Sequence, residues 1–261
     1  MPNNEAAFPN SRSAISKRSS AGELSWFGPL VMLFARPVLA IIAQGLAAAI
    51  LLACGSSRPW LAAAPFLPVY GSLVDIGCLG LLWWFAKREG IRLADLIGFD
   101  RRRLAKDLLL GIALVVPGIL FILAGNLLSH LIVYGSLGMP QIFEPLPLWA
   151  TLYGVIVFPL LWGLTEQTTY NGYVLPRLQI LFKSTGLAVI AVVLVWSAQH
   201  AVMPLTFDPK FMAYRLLSPL PFSTFIALVY LRLRRIVPLA TAHWLMDGGD
   251  AFVGSLLPLL R

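Results

Sequence analysis

The sequence predicts an all-α, multi-pass transmembrane bundle of about seven spans with a cytoplasmic N-terminus. Of 261 residues, 58% are hydrophobic and only 12% charged, whereas a soluble domain carries about a quarter of its residues charged. The apolar residues come in long blocks, each near or above the ~20 residues a helix needs to cross a bilayer. The ~10-residue alternating segments of a membrane β-barrel do not occur.

Taken in order, residues 1–25 are polar, Ser-rich and without apolar periodicity, which predicts a disordered cytoplasmic tail. Residues 26–261 then form one transmembrane domain, with spans at about 29–54, 61–86, 107–134, 146–176, 186–203, 216–231 and 236–259. The fourth is longer than a simple crossing and calls for tilt or a break. Between the second and third lies the longest charged segment, "KREGIRLADLIGFDRRRLAKD". Its Leu93, Leu96, Ile97 and Leu104 suit one face of a short helix on the membrane surface, a solvated loop being the alternative. Pro140, Pro145, Pro147, Pro204, Pro209, Pro219 and Pro221 cluster where spans begin or end. Cys54 and Cys78 read as small core residues. "LLACG" superficially resembles a lipoprotein cleavage box, but the preceding apolar run is too long for a signal peptide. No internal repeat supports an inverted-repeat transporter.

The net charge of +8 is a topology signal. Fifteen of the twenty Lys and Arg fall on one side of these spans: Arg12, Lys17, Arg18, Lys87, Arg88, Arg92, Arg101, Arg102, Arg103, Lys106, Arg177, Lys183, Arg232, Arg234 and Arg235. Arg58, Lys210, Arg215 and Arg261 lie on the other, and Arg36 falls near the inner end of the first span. The positive-inside rule then places the N-terminus in the cytoplasm and the C-terminus outside. The expected partner is the lipid bilayer, not nucleic acid, and the expected location is the cell (plasma) membrane.

Ionisable residues at depth cost about 2.5–3.5 kcal/mol each and usually face a cavity or partner. Here they are Asp75, Glu166, His200, His243, Asp247 and Asp250, with His130 near an outer end. Asp75 and His130 read most simply as helix-packing groups. Glu166 follows twenty-one uncharged residues, Pro145 to Thr165. At 1.5 Å per residue it lies about 16 Å above Arg177, and His200 lies about 21 Å above Gly186. His243 and Asp247 lie about 12 and 18 Å above Arg235, four residues apart and so on one face. One carboxylate and two imidazoles in such a slab can bind a divalent metal or activate water as a general base. Asp247 with His243 can ligate the metal or hydrogen-bond a developing oxyanion. These arrangements suit amide hydrolysis, although a proton-coupled transporter could use the same residue types.

Three segments carry a family resemblance. "EQTTYNGYVLPRL" is similar to the EExxxRG motif of the CPBP intramembrane proteases, the CAAX-prenyl-protease and bacteriocin-processing (Abi-like) group. "WSAQH" resembles their second motif and "HWLMD" their third, His-x-x-x-Asn/Asp. Order and span placement agree, and the similarity covers about residues 90–255, with "LADLIGFDRRRLAKDLLLG" resembling the loop that precedes the core. The resemblance implies an intramembrane endopeptidase, a hydrolase acting on a membrane-embedded or lipidated peptide or protein. Glu166 would activate water together with His200, while His243 and Asp247 would stabilise the oxyanion. A divalent metal such as zinc, if used, would sit on Glu166, His200 and His243. HExxH and GxSxG are absent, and "DGGD" at Asp247 has no matching second aspartate motif.

Two positions depart from the pattern. Gln167 stands at the second Glu and Asn171 at the Arg. Four residues apart, they face each other on a helix, so charge has been removed from both sides of a supporting pair, an exchange that is often harmless. A non-catalytic scaffold or chaperone on the same fold is the alternative these departures leave open.

Overall fold

The structure is a computed structural model that describes residues 8–139 and 146–260. Among the described residues every regular element is a helix. α1 is Arg12–Ser20, α2 Phe27–Ala53, α3 Pro59–Ala63, α4 Leu67–Arg88, α5 Leu93–Ile97 and α6 Leu104–Tyr134. α7 is Leu148–Ile156, α8 Phe158–Gln167, α9 Leu175–Leu181 and α10 Thr185–Ala201, with a π-helix over Thr168–Val174 between α8 and α9. α11 is Pro209–Leu217, α12 Leu220–Leu233 and α13 Val237–Ala251.

Among the described residues five segments are long and apolar enough to cross a membrane: Phe27–Ala53, Pro59–Arg88, Leu93–Tyr134, Leu148–Leu181 and Pro209–Leu233. Of the other two expected spans, 186–203 corresponds to the shorter apolar helix α10. The last, 236–259, is the 15-residue α13 continued by a π turn and a 3-10 turn. α2 shows why these helices suit lipid. Leu30, Phe34, Val38, Ile42, Leu46 and Ile50 form an exposed apolar stripe four residues apart, while Met32, Arg36, Ala40, Ala43 and Gln44 are buried.

α6 approaches α13 through Gly111 and Gly118, seven residues apart and so on one face. A Cβ on Gly111 would lie 2.8 Å from the Pro238 carbonyl, and one on Gly118 would lie 2.6 Å from Met246 Sδ. Small residues allow this close contact where lipid gives no hydrophobic drive.

The fourth expected span breaks at Val157, and Pro159 opens α8. α8 then widens into the π-helix, whose seven residues are all buried. Pro176, lacking an N–H, cannot bond the Gly172 carbonyl four residues back. That carbonyl accepts from Asn10 Nδ2 at 2.8 Å.

This contact corrects the expected disordered tail for residues 8–25; residues 1–7 lie outside the described residues. α1 is capped by Ser11 Oγ, which accepts from the Ala14 amide at 3.3 Å, and Ile15 is fully buried. Arg177 holds Asn10 Oδ1 at 3.1 Å and grips Glu89 with two bonds of 2.7 Å. Arg18 stands 3.5 Å from the same carboxylate; burial depresses its pKa, and Glu89 opposes that shift. The anchors are mostly polar, so hydrophobic patterning could not reveal them.

The basic loop contains a short helix. α5 is a short helix, as one alternative had it, but Leu96 is buried and Leu93 and Ile97 pack on the protein core. The Ile236 amide bonds the Ile97 carbonyl at 3.0 Å, so α5 is tied to the residue that precedes α13. Cys78 is buried as expected, whereas Cys54, at the end of α2, is exposed.

Candidate active site

α8 and α13 pack together and bring Glu166 to His243. Gly163 permits the approach: a Cβ there would lie 3.2 Å from His243 Cβ and 3.3 Å from the Ala240 carbonyl. Glu166 is fully buried, and its Oε2 lies 3.5 Å from His243 Nε2. Asp247, one turn further along α13, places Oδ2 3.3 Å from the same nitrogen. Its side chain is 27% exposed, so the cluster runs from a buried carboxylate to a partly exposed one.

On its other side His243 meets the supporting pair. Gln167 Nε2 lies 3.1 Å from His243 Nδ1, and Asn171 Nδ2 donates to Gln167 Oε1 at 2.8 Å. With both amides reversed, the buried Asn171 NH2 would be orphaned; as placed, only Asn171 Oδ1 lacks a hydrogen bond. An under-satisfied carbonyl is the commoner compromise. Gln167 therefore donates, Nδ1 accepts, and in the neutral ring the hydrogen sits on Nε2, facing Glu166 and Asp247.

The second expected motif contributes differently than anticipated. His200 turns Nδ1 to the Trp196 carbonyl at 3.0 Å. A carbonyl only accepts, so Nδ1 carries the hydrogen and the neutral ring has its lone pair on Nε2. Neighbouring Gln199, not His200, hydrogen-bonds Glu166, with Nε2 donating to Oε1. Gln199 Oε1 accepts from Arg36 Nε and the Tyr170 hydroxyl, each at 3.1 Å.

Arg36 and Gln199 are the residues that sequence reasoning missed. Arg36 is fully buried, 4.2 Å above the Trp162 ring, with Nη1 bonded to Asp75 Oδ1 at 2.8 Å and Nε 3.8 Å from Glu166 Oε1. Asp75 is thus an ion-pair partner. A lone Arg inside the apolar run of the first span is the available signal. His130 stands apart, its Nδ1 2.6 Å from the Ser136 carbonyl.

The expected metal triad of Glu166, His200 and His243 is not brought together. Among the described residues no three His, Cys, Asp or Glu side chains group as metal ligands. Glu166 Oε1 is engaged by Gln199 beside a guanidinium, and His243 Nε2 bears hydrogen rather than a lone pair. This donor set does not fit a divalent cation.

Fold and site together define an all-helical integral membrane protein with a buried carboxylate–imidazole centre. Residues 147–249 match the family model described as Type II CAAX prenyl endopeptidase Rce1-like, consistent with the CPBP intramembrane proteases. The match spans Glu166, His200, His243 and Asp247, and supports a membrane protease in general terms. No curated protein and no solved structure matches the chain.

Proposed function

We propose that the chain is an intramembrane endopeptidase that hydrolyses a peptide bond of a membrane-associated, prenylated or otherwise lipidated substrate in the cell membrane. The observation that carries this reading is the buried Glu166, whose Oε2 has no hydrogen bond and faces the Nε2–H of His243.

Glu166 Oε2 takes a proton from water as the water oxygen attacks the scissile carbonyl carbon. The family resemblance assigns His200 a share in activating that water, and its Nε2, which carries the lone pair, is the atom available for it. The carbonyl oxygen becomes an oxyanion, met by the Nε2–H of His243, which Gln167 holds in that tautomer. Asp247 aligns the ring from its partly exposed side. The intermediate collapses with cleavage of the C–N bond, and the proton on Glu166 passes to the leaving amine. No step is routed through a divalent metal.

The test is cleavage of a prenylated C-terminal peptide by the purified protein in liposomes, read by mass spectrometry. Wild type should release the terminal fragment, and Glu166→Ala should lose about 10²–10⁴-fold in rate, the usual contribution of a general base. Equal cleavage by both would refute the reading. Lack of cleavage by either, across prenylated and unprenylated membrane peptides, would favour the scaffold alternative raised by Gln167 and Asn171.

A further inference from the structure

We propose that Arg36, from the first span, is a positioning residue that sets the orientation of Glu166 through Gln199. The inference rests on the endopeptidase reading and deepens it. Arg36 lies outside the matched segment 147–249, and nothing in the three motifs points to it.

The argument starts from hydrogen-bond capacity. A guanidinium only donates. Arg36 Nε therefore fixes the atom of Gln199 that it meets at 3.1 Å as the carbonyl oxygen, and the Tyr170 hydroxyl donates to that same atom at 3.1 Å. With Oε1 so held, the Gln199 NH2 has one place left to go, and it donates to Glu166 Oε1. Glu166 is thereby clamped by one oxygen, with Arg36 Nε 3.8 Å from that oxygen. The other oxygen, Oε2, is left to face His243 at 3.5 Å. Without Arg36 the Gln199 amide could reverse, set its carbonyl against the carboxylate and turn Glu166 away.

Bulk packing does not explain this arrangement. Arg36, Asp75, Gln199 and Glu166 are all fully buried, and a buried ion pair is weak evidence for stability compared with an apolar replacement. The guanidinium is also held from two further sides, by Asp75 Oδ1 at 2.8 Å and by the Trp162 face at 4.2 Å. Its Nε is thus aimed before Gln199 binds. Lysine would keep the charge but has no planar fork.

The test uses the full-length protein in liposomes, with Arg36→Met/Asp75→Asn as a charge-neutral replacement expected to fold. kcat should fall about 100-fold, as misplacement of a reacting group does, with KM nearly unchanged. Gln199→Leu should cause a similar fall, and the triple variant should fall no further, because both changes break the same link. Arg36→Lys should not restore kcat, whereas a role in charge balance alone predicts that it does. Wild-type kcat in the neutral double variant, multiplied losses in the triple variant or rescue by Lys would each overturn the proposal.

A second readout is independent of cleavage. Thermal melting in detergent of Gln199→Leu, Glu166→Gln and their combination should be non-additive, and additive shifts would overturn the clamp. Non-additive melting in a protein whose wild type shows no Glu166-dependent cleavage would reject the endopeptidase reading and leave the positioning arrangement standing.

Discussion

Gln167 Nε2 stands 3.1 Å from His243 Nδ1 while Gln167 Oε1 accepts from Asn171 at 2.8 Å. An amide pair thus sits behind the imidazole where the resembling motif has Glu and Arg. Gln167→Glu alone would leave a buried charge without its partner, and Asn171→Arg alone would do the same with opposite sign. Each should lower the melting temperature in detergent, an uncompensated buried charge costing about 3–5 kcal/mol. The double variant should recover most of the loss, and purely additive losses would show the positions uncoupled. The carboxylate in the double variant should also draw a proton onto Nδ1. Nitrogen NMR of His243 would then report the opposite tautomer from wild type.

The fold class and half of the site were legible because they depend on local pattern. Long apolar blocks announce spans, and helical rise puts Glu166, His200, His243 and Asp247 at similar depth, of which the structure brings Glu166, His243 and Asp247 together. Arg36 and Gln199 were hidden because their importance is a matter of partners, which lie 163 residues apart in the chain. A linear reading sees only a basic residue near a span end. The same holds for Asn10, a polar residue in a polar tail whose partner, the Gly172 carbonyl, lies 162 residues later.

That N-terminal contact makes its own prediction. Asn10→Ala would strip the Gly172 carbonyl of its side-chain donor and one Arg177 N–H of its acceptor, both at buried residues. A buried polar group left unsatisfied costs about 1–3 kcal/mol. The variant should melt at a clearly lower temperature than wild type, and an unchanged melting curve would show that the tail does not brace the π-helix.

Metal dependence separates two chemistries that the sequence left open. With Glu166 engaged by Gln199 and His243 presenting an Nε2–H, stripping with a chelator should leave the cleavage rate unchanged. A rate lost on chelation and restored by added zinc would mean that the two imidazoles rearrange into ligands, and the water-activation scheme above would fall.

Orientation can be read with the cysteines already present. The basic residues flanking the spans predict a cytoplasmic N-terminus, which puts the end of α2, and so Cys54, on the outer face. Cys54 is exposed and Cys78 buried, so the chain carries one accessible thiol on a known end of a known helix. A membrane-impermeant maleimide added to intact cells should label the protein once, and Cys54→Ser should abolish the signal. A cysteine appended after Arg261 in that background should restore labelling from outside if the chain crosses an odd number of times. This matters because α13 is only 15 residues long before it passes into π and 3-10 turns, short of the ~20 residues of a full crossing. Labelling of Cys54 from outside with the appended cysteine reached only after permeabilisation would mean that an expected crossing is absent, α10 and α13 being the two expected spans outside the five long apolar segments. Cys54 labelled only after permeabilisation would reverse the orientation altogether.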